Sequence, residues 1–158
     1  MQSAKLTTVN IGFLFIAGFI ATIAFDFWGQ VVSPGIGWAN LSPEGLAQSL
    51  LSSLGLPSNA FLGFFVHFYL VGLIAYPLGW FLIFKPVWVK VLGPGHMFVA
   101  SAIYGFGLWV FALGGITTLS GLPTFLNFSA ITWVALIGHV LYGIVMVAVL
   151  RLIERQNG

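Results

Sequence analysis

The stretch AITWVALIGHVLYGIVMVAVL, residues 130–150, decides the class of this protein, because it contains no charged side chain. A helix needs about 20 mostly apolar residues to cross the hydrocarbon core of a bilayer. Three similar stretches precede it, at about Asn10 to Gly29, Ala60 to Phe84 and Met97 to Ile116, and Asp26 is the only formally charged residue within the four. Continuous apolar runs of this length favour helices over the shorter, alternating strands of a barrel. The sequence therefore predicts four transmembrane helices.

The composition of the whole chain supports the same class. Charged residues make up 5% and hydrophobic residues 59% of the 158 positions, whereas a soluble domain carries roughly 25% charged residues. No basic cluster or glycine-rich phosphate loop is present, so we expect no nucleic-acid partner. The absence of cysteine excludes disulfides and covalently attached haem. We expect one all-α membrane domain over residues 1–158, folded as an up-down bundle of four helices.

The basic residues predict the orientation of this bundle. All five flank one side of the four spans: Lys5, Lys85, Lys90, Arg151 and Arg155. Basic flanks remain in the cytoplasm, so both termini are expected there. The first span also resembles a signal peptide, but its length favours a membrane helix. Lys85-Pro86 is expected to end the second span.

The long loop at residues 30–59 is expected on the outer side and contains a helix signal of its own. Ser42-Pro43-Glu44 is typical of a helix start, with an N-cap, a proline in the first turn and an acidic residue. Four leucines then share one face, and Gly55 follows them: Leu46, Leu50, Leu51 and Leu54. We expect a short amphipathic helix within residues 43–54 at the outer interface. It is either a lid or docking surface, or simply a loop that rests on the bundle.

Small residues predict how the spans pack. Lipid provides no hydrophobic force between helices, so close backbone approach requires small side chains. Two stripes at three- and four-residue spacing satisfy this: Ala17, Ala21 and Ala24 in the first span, and Ser101, Gly105, Leu108, Ala112 and Gly115 in the third. We interpret them as seams within the bundle, with a dimerisation face as the alternative.

Three ionisable residues within the spans form the candidate site. His67 and His139 lie on parallel helices at similar depth in the outer half, and Asp26 closes the first span from the same side. Two histidines at one level can be the axial ligands of a b-type haem, or can hold a metal ion with Asp26 as a third ligand. A proton-transfer role is also open. The structural alternative is a pair of buried imidazoles that hydrogen-bond to Asp26, Tyr69, Tyr142 or a backbone carbonyl.

Most catalytic classes find no support in this residue set. No serine–histidine–acid set and no second intramembrane carboxylate is present, and the spans carry no charged ring of the kind that lines a channel. The leading hypothesis is a non-enzymatic accessory or interaction subunit, whose partners are the lipid bilayer and either other membrane subunits or further copies of the chain. The alternative is an electron-transfer protein that binds haem b or a metal through His67 and His139. His96 is expected only to begin a helix.

The order of motifs resembles a family of small, uncharacterised bacterial membrane proteins, a domain of unknown function. The resemblance covers most of the chain and rests on short motifs: Gly18-Phe19-Ile20-Ala21-Thr22, Leu54-Gly55-Leu56-Pro57, His67-Phe68 and Gly138-His139-Val140-Leu141-Tyr142-Gly143. In the family, a glycine follows the histidine of each even-numbered helix; here the glycine after His67 comes one residue later. The resemblance implies four helices in a bacterial inner membrane and no particular activity. It also implies that His67 and His139 act as a pair.

Overall fold

A computed structural model describes residues 8–156, with side chains from Ile11 onward, and Lys5 lies outside the described residues. Within that range four helices are long and apolar enough to cross a membrane, and no β-strand is present. In chain order the helices are α1 (Thr8–Phe27, continuing to Gly35), α2 (Pro43–Ser53), α3 (Ala60–Leu92), α4 (Met97–Leu119) and α5 (Ala130–Gln156). The prediction of four helices able to span a membrane is confirmed.

All four spanning helices continue beyond their predicted ends. They end at Gly35, Leu92, Leu119 and Gln156, not at Gly29, Phe84, Ile116 and Leu150. The predicted stop at Lys85-Pro86 is wrong, because Pro86 lies early in a helical segment that directly follows a wide π-helical turn at Trp80–Phe84. A widened turn leaves room for the proline ring, so the missing N–H weakens the helix without ending it. Pro34 and Pro77 follow π-helical turns in the same way.

The charged ends of the helices meet at one end of the bundle. Lys85 of α3 lies near Glu154 of α5, with Nζ and Oε1 4.0 Å apart. The Arg151 guanidinium of α5 lies over the Phe98 ring of α4, 5.2 Å from its centroid. Residues 85–98 and 151–156 are called the basic end below, and residues 36–59 and 120–129, at the opposite end, are called the loop end. This meeting of chain-distant residues matches an up-down arrangement.

The closest helix crossing joins α4 to α5. A Cβ atom on Gly105 would clash with the carbonyl oxygen of His139, and one on Gly143 would clash with the carbonyl oxygen of Ser101. Most of the two predicted stripes is buried, including Ala17, Ala21, Ser101, Gly105, Leu108 and Ala112. Gly115 differs, since it is exposed beyond the crossing. The small residues therefore allow backbone contact between helices of one bundle.

Large apolar side chains cover the outside of the bundle. Examples around its surface are Ile16, Phe19, Ile83, Phe106 and Phe111, each at least 45% exposed. Soluble proteins rarely expose apolar patches of this extent. A surface of this composition is suited to lipid, which agrees with a multi-pass membrane protein.

The helix α2 packs across the loop end. Its residue Ala47 is buried, and Gly63 of α3 lies against the Glu44 carbonyl and the Gln48 side chain. Gly55 ends the α2 segment with a φ of +71°, a conformation that favours glycine. The bundle is therefore covered at this end by a helix that contacts its second span.

Candidate functional site

A cavity of about 440 Å³ lies in the loop-end half of the bundle, and all five helices contribute to its wall. The wall is mostly apolar, with a few polar side chains: Thr22, Ser42, Ser49, His67, Tyr76, His139 and Tyr142. Small-molecule sites are typically cavities of about 300–1,000 Å³ with an apolar wall and few polar groups. The cavity has the size and lining of such a site.

The two halves of the bundle differ in what lies between α3 and α4, whose backbones are not closely packed. In the basic-end half, the Tyr104 ring of α4 packs against Trp80 and Phe84 of α3, with ring centroids 5.4 and 5.2 Å apart. In the loop-end half lies the cavity, with Val71 of α3 and Ala112 of α4 in its wall. The helix α2 lies across this space on its loop-end side.

His67 of α3, in the wall of the cavity, pairs with Asp26 of α1. The His67 Nε2 and Asp26 Oδ1 atoms are 2.8 Å apart, and their side chains are only 11% and 21% exposed. A carboxylate within an apolar span is costly unless it is paired. The imidazole therefore stabilises Asp26 and joins α1 to α3.

A chain of polar side chains continues from this pair to α2. The Gln30 Nε2 group donates to Asp26 Oδ1 at 3.5 Å and to Glu44 Oε1 at 3.3 Å. Glu44 lies in the first turn of α2, so the chain links the covering helix to His67. Two of the three acidic residues in the protein are in this chain. Movement of α2 would break these bonds and is thereby coupled to the Asp26–His67 pair.

His139 of α5 lies in the same wall but has a different partner. Its Nδ1 group donates to the carbonyl oxygen of Ala135, one turn earlier, at 2.7 Å, and the residue is 5% exposed. The nearby hydroxyl of Tyr142 donates to the Gly72 carbonyl at 2.5 Å instead. The Nε2 atom of His139 therefore has no hydrogen-bond partner among the described residues.

Phe25 contacts both imidazoles. Its ring centroid is 5.9 Å from that of His67 and 4.9 Å from that of His139. Across the described part of the chain, no group of three or more histidine, aspartate or glutamate residues is arranged to hold a metal ion. Asp26 is hydrogen-bonded to His67 and Gln30, and the proposed three-ligand set does not come together.

The hydrogen bonds expected under the structural alternative are present, with two of the four named partners. His67 is hydrogen-bonded to Asp26, and His139 donates to the backbone carbonyl of Ala135. The glycines beside the histidines serve helix packing, since Gly63 accommodates α2 and Gly143 accommodates α4. His96 is exposed at the start of α4, as expected.

Four residues of the site are not evident from the sequence: Phe25, Gln30, Glu44 and Tyr76. A signal for Gln30 is available, because it follows Asp26 by four residues, one helical turn. It was assigned to the loop because the first helix was expected to end at Gly29. No local pattern marks Phe25, whose role depends on helices distant in the chain.

No family model matches the chain, and no significant similarity is found to curated proteins or to solved structures. The resemblance to the family of small bacterial membrane proteins stays a prediction. Function must therefore be argued from the cavity and its residues.

Proposed function

We propose that this chain is a non-enzymatic membrane protein that binds a small, mostly apolar molecule inside its helical bundle. The observation that carries the proposal is the cavity of about 440 Å³ between all five helices. Well-packed interiors contain few voids larger than a water molecule. Unfilled space of this size loses packing contacts, so a ligand that fills it is favoured.

The lining supports a lipophilic ligand with a small polar group. Apolar side chains such as Val71, Ile116 and Leu126 form most of the wall, while His67 and His139 provide polar atoms. Such a ligand would partition into the bilayer first. It would then enter between α3 and α4, whose backbones are not closely packed.

A pair of valine-to-phenylalanine variants tests the proposal. The probe is para-octylanisole, added to purified protein in nanodiscs, and tryptophan fluorescence reports binding. Val71→Phe places a ring in the cavity and should weaken binding about tenfold or more, since tightly packed sites do not accept extra volume. Val99→Phe is the matched control, because Val99 is 53% exposed on the outside of α4. Absence of saturable binding, or equal loss in both variants, contradicts the proposal.

We also propose that the basic end faces the cytoplasm and the loop end the outside of a bacterial inner membrane. Lys85, Lys90, Arg151 and Arg155 support this orientation. The chain has no cysteine, so Ser52→Cys and Gly95→Cys place single labels at the loop end and the basic end. An impermeant maleimide on intact cells should label only Ser52→Cys. Labelling of Gly95→Cys alone would reverse the orientation.

Membership of a larger assembly remains part of the proposal. The exposed aromatic side chains of the bundle, such as Phe61 and Phe65 of α3, can contact lipid or partner helices. Gentle solubilisation followed by sizing and mass spectrometry tests this. A monomer without any co-purifying protein in every mild detergent would count against an accessory subunit.

Binding of b-type haem is the second candidate, and one observation favours it. His139 donates to the Ala135 carbonyl, and its Nε2 atom, the usual iron-binding nitrogen, has no hydrogen-bond partner among the described residues. His67 fits the role less well, because its Nε2 atom already contacts Asp26. Haem would supply electron-transfer chemistry when bound. A visible spectrum before and after dithionite decides: no haem bands in protein from haem-replete cells would exclude this candidate.

A further inference from the structure

The unpartnered nitrogen of His139 is a polar atom inside the apolar cavity. Its Nδ1 group faces the Ala135 carbonyl at 2.7 Å. A carbonyl oxygen only accepts hydrogen bonds, so Nδ1 must carry the proton. In a neutral imidazole the other nitrogen, Nε2, is then an acceptor. The tautomer of His139 is thereby set by the helix on which it lies.

The Nε2 atom retains accessible area. Among the described residues, no fully buried side-chain nitrogen or oxygen lacks a hydrogen-bond partner. Because Nε2 has no such partner, it is not fully buried, and His139, which is 5% exposed, lines the cavity. An acceptor in apolar surroundings that receives no hydrogen bond is costly.

Of the tyrosine hydroxyls nearby, two already have partners, and that of Tyr76, which lines the cavity, makes no hydrogen bond to His139 among the described residues. The Tyr142 hydroxyl donates to the Gly72 carbonyl, and the Tyr104 hydroxyl donates to the Tyr76 carbonyl. Aromatic rings border the imidazole, with Phe25 at 4.9 Å and Tyr76 at 6.2 Å between centroids. A flat ring that carries a donor meets both features of this position.

We infer that the ligand of the cavity is a lipophilic molecule with an aromatic ring and a hydroxyl group, of the phenol or hydroquinone class, whose O–H donates to His139 Nε2. This inference rests on the proposed function and names the chemical class of its ligand. The hydroxyl satisfies the acceptor, and the apolar remainder of the ligand fills the space near Val71 and Ile116.

Two matched probes test the inference. Para-octylphenol and para-octylanisole have the same tail and ring, but only the phenol can donate. The phenol should bind the parent protein about tenfold more tightly, the effect of one buried hydrogen bond. His139→Leu should abolish this preference, so that the variant binds the two probes with equal affinity. His96→Ala, changed outside the cavity, should keep the preference.

The outcomes separate the inference from the proposed function. Equal binding of both probes, or a preference that persists in His139→Leu, overturns the inference but leaves the cavity as a binding site. Binding of neither probe overturns both.

A measurement on the unmodified protein does not require the His139→Leu variant to fold. In NMR spectra of protein labelled with nitrogen-15 histidine, the Nε2 atom of His139 should be unprotonated. Its resonance should shift when the phenol is added but not when the anisole is added. His67 and His96 are internal controls. A protonated Nε2 atom at His139 overturns the inference.

Discussion

The basic-end and loop-end halves of the bundle are built from the same four helices and differ in how the space between them is filled. In the basic-end half, the rings of Trp80, Phe84 and Tyr104 pack together between α3 and α4. In the loop-end half lies a cavity of about 440 Å³ whose wall includes His67 and His139. One half is a packed core, and the other contains unfilled space.

This difference shows that side-chain size decides how the space between helices is filled. Where two backbones approach, as at Gly105 and His139, the absence of a side chain allows the contact. The backbones of α3 and α4 are not closely packed, and rings such as Trp80 and Tyr104 fill the space between them in the basic-end half. Changes in the two halves should consequently have different effects.

Removal of Trp80 should have the largest effect. Trp80 is 2% exposed and is the largest fully buried side chain described. Trp80→Ala should destabilise the protein by about 3 kcal/mol or more, because it leaves a large void in the packed half. Thermal unfolding in detergent measures this. Trp133→Ala removes a 44% exposed tryptophan as control. Equal melting temperatures for the two variants would show that the basic-end half is not the packed core.

Enlargement of a side chain should distinguish the halves directly. Ala100 is fully buried near the basic end, and Val71 lines the cavity. Ala100→Phe should cost about 1–3 kcal/mol by overpacking, whereas Val71→Phe should change stability by less than about 1 kcal/mol because space is present. The same unfolding assay applies. A greater loss with Val71→Phe would mean that the cavity does not tolerate an added ring.

Neutralisation of Asp26 should have an intermediate effect. Asp26→Asn keeps the shape but replaces a charge-assisted hydrogen bond to His67 with a neutral one. The expected loss is about 1–2 kcal/mol. Proteolysis within residues 36–59 should also become faster, because the polar chain to Glu44 is weakened. Unchanged stability together with unchanged proteolysis would remove the structural role assigned to the pair.

Neutralisation of Glu154 should have the smallest effect. Glu154 is the carboxylate of the other ion pair described, but its side chain is 64% exposed and 4.0 Å from Lys85 Nζ. An exposed pair of this length contributes little, so Glu154→Gln should change stability by less than about 0.5 kcal/mol. It is also the matched control for Asp26→Asn. A loss of stability as large as that of Asp26→Asn would mean that the exposed pair and the buried pair stabilise the bundle equally.

Composition and pattern by themselves determined the class of the protein and the number of its spanning helices. Each apolar run is a local property, and lipid leaves a backbone of that length few alternatives to a helix. The stripe at Ser101 and Gly105 likewise predicted which face of α4 is buried, because helical spacing is local. The ends of the helices were less predictable, because Pro86 ends its helix only if the preceding turn cannot widen.

Only the tertiary structure decided the site. His67 and His139 were identified as intramembrane polar residues, but their partners depend on side-chain directions that helical spacing does not define. Asp26 meets His67 across 41 positions of the chain, and Phe25 contacts both imidazoles because Gly138 of α5 leaves room for its ring. The cavity is the least local feature, because empty space is a property of all five helices at once.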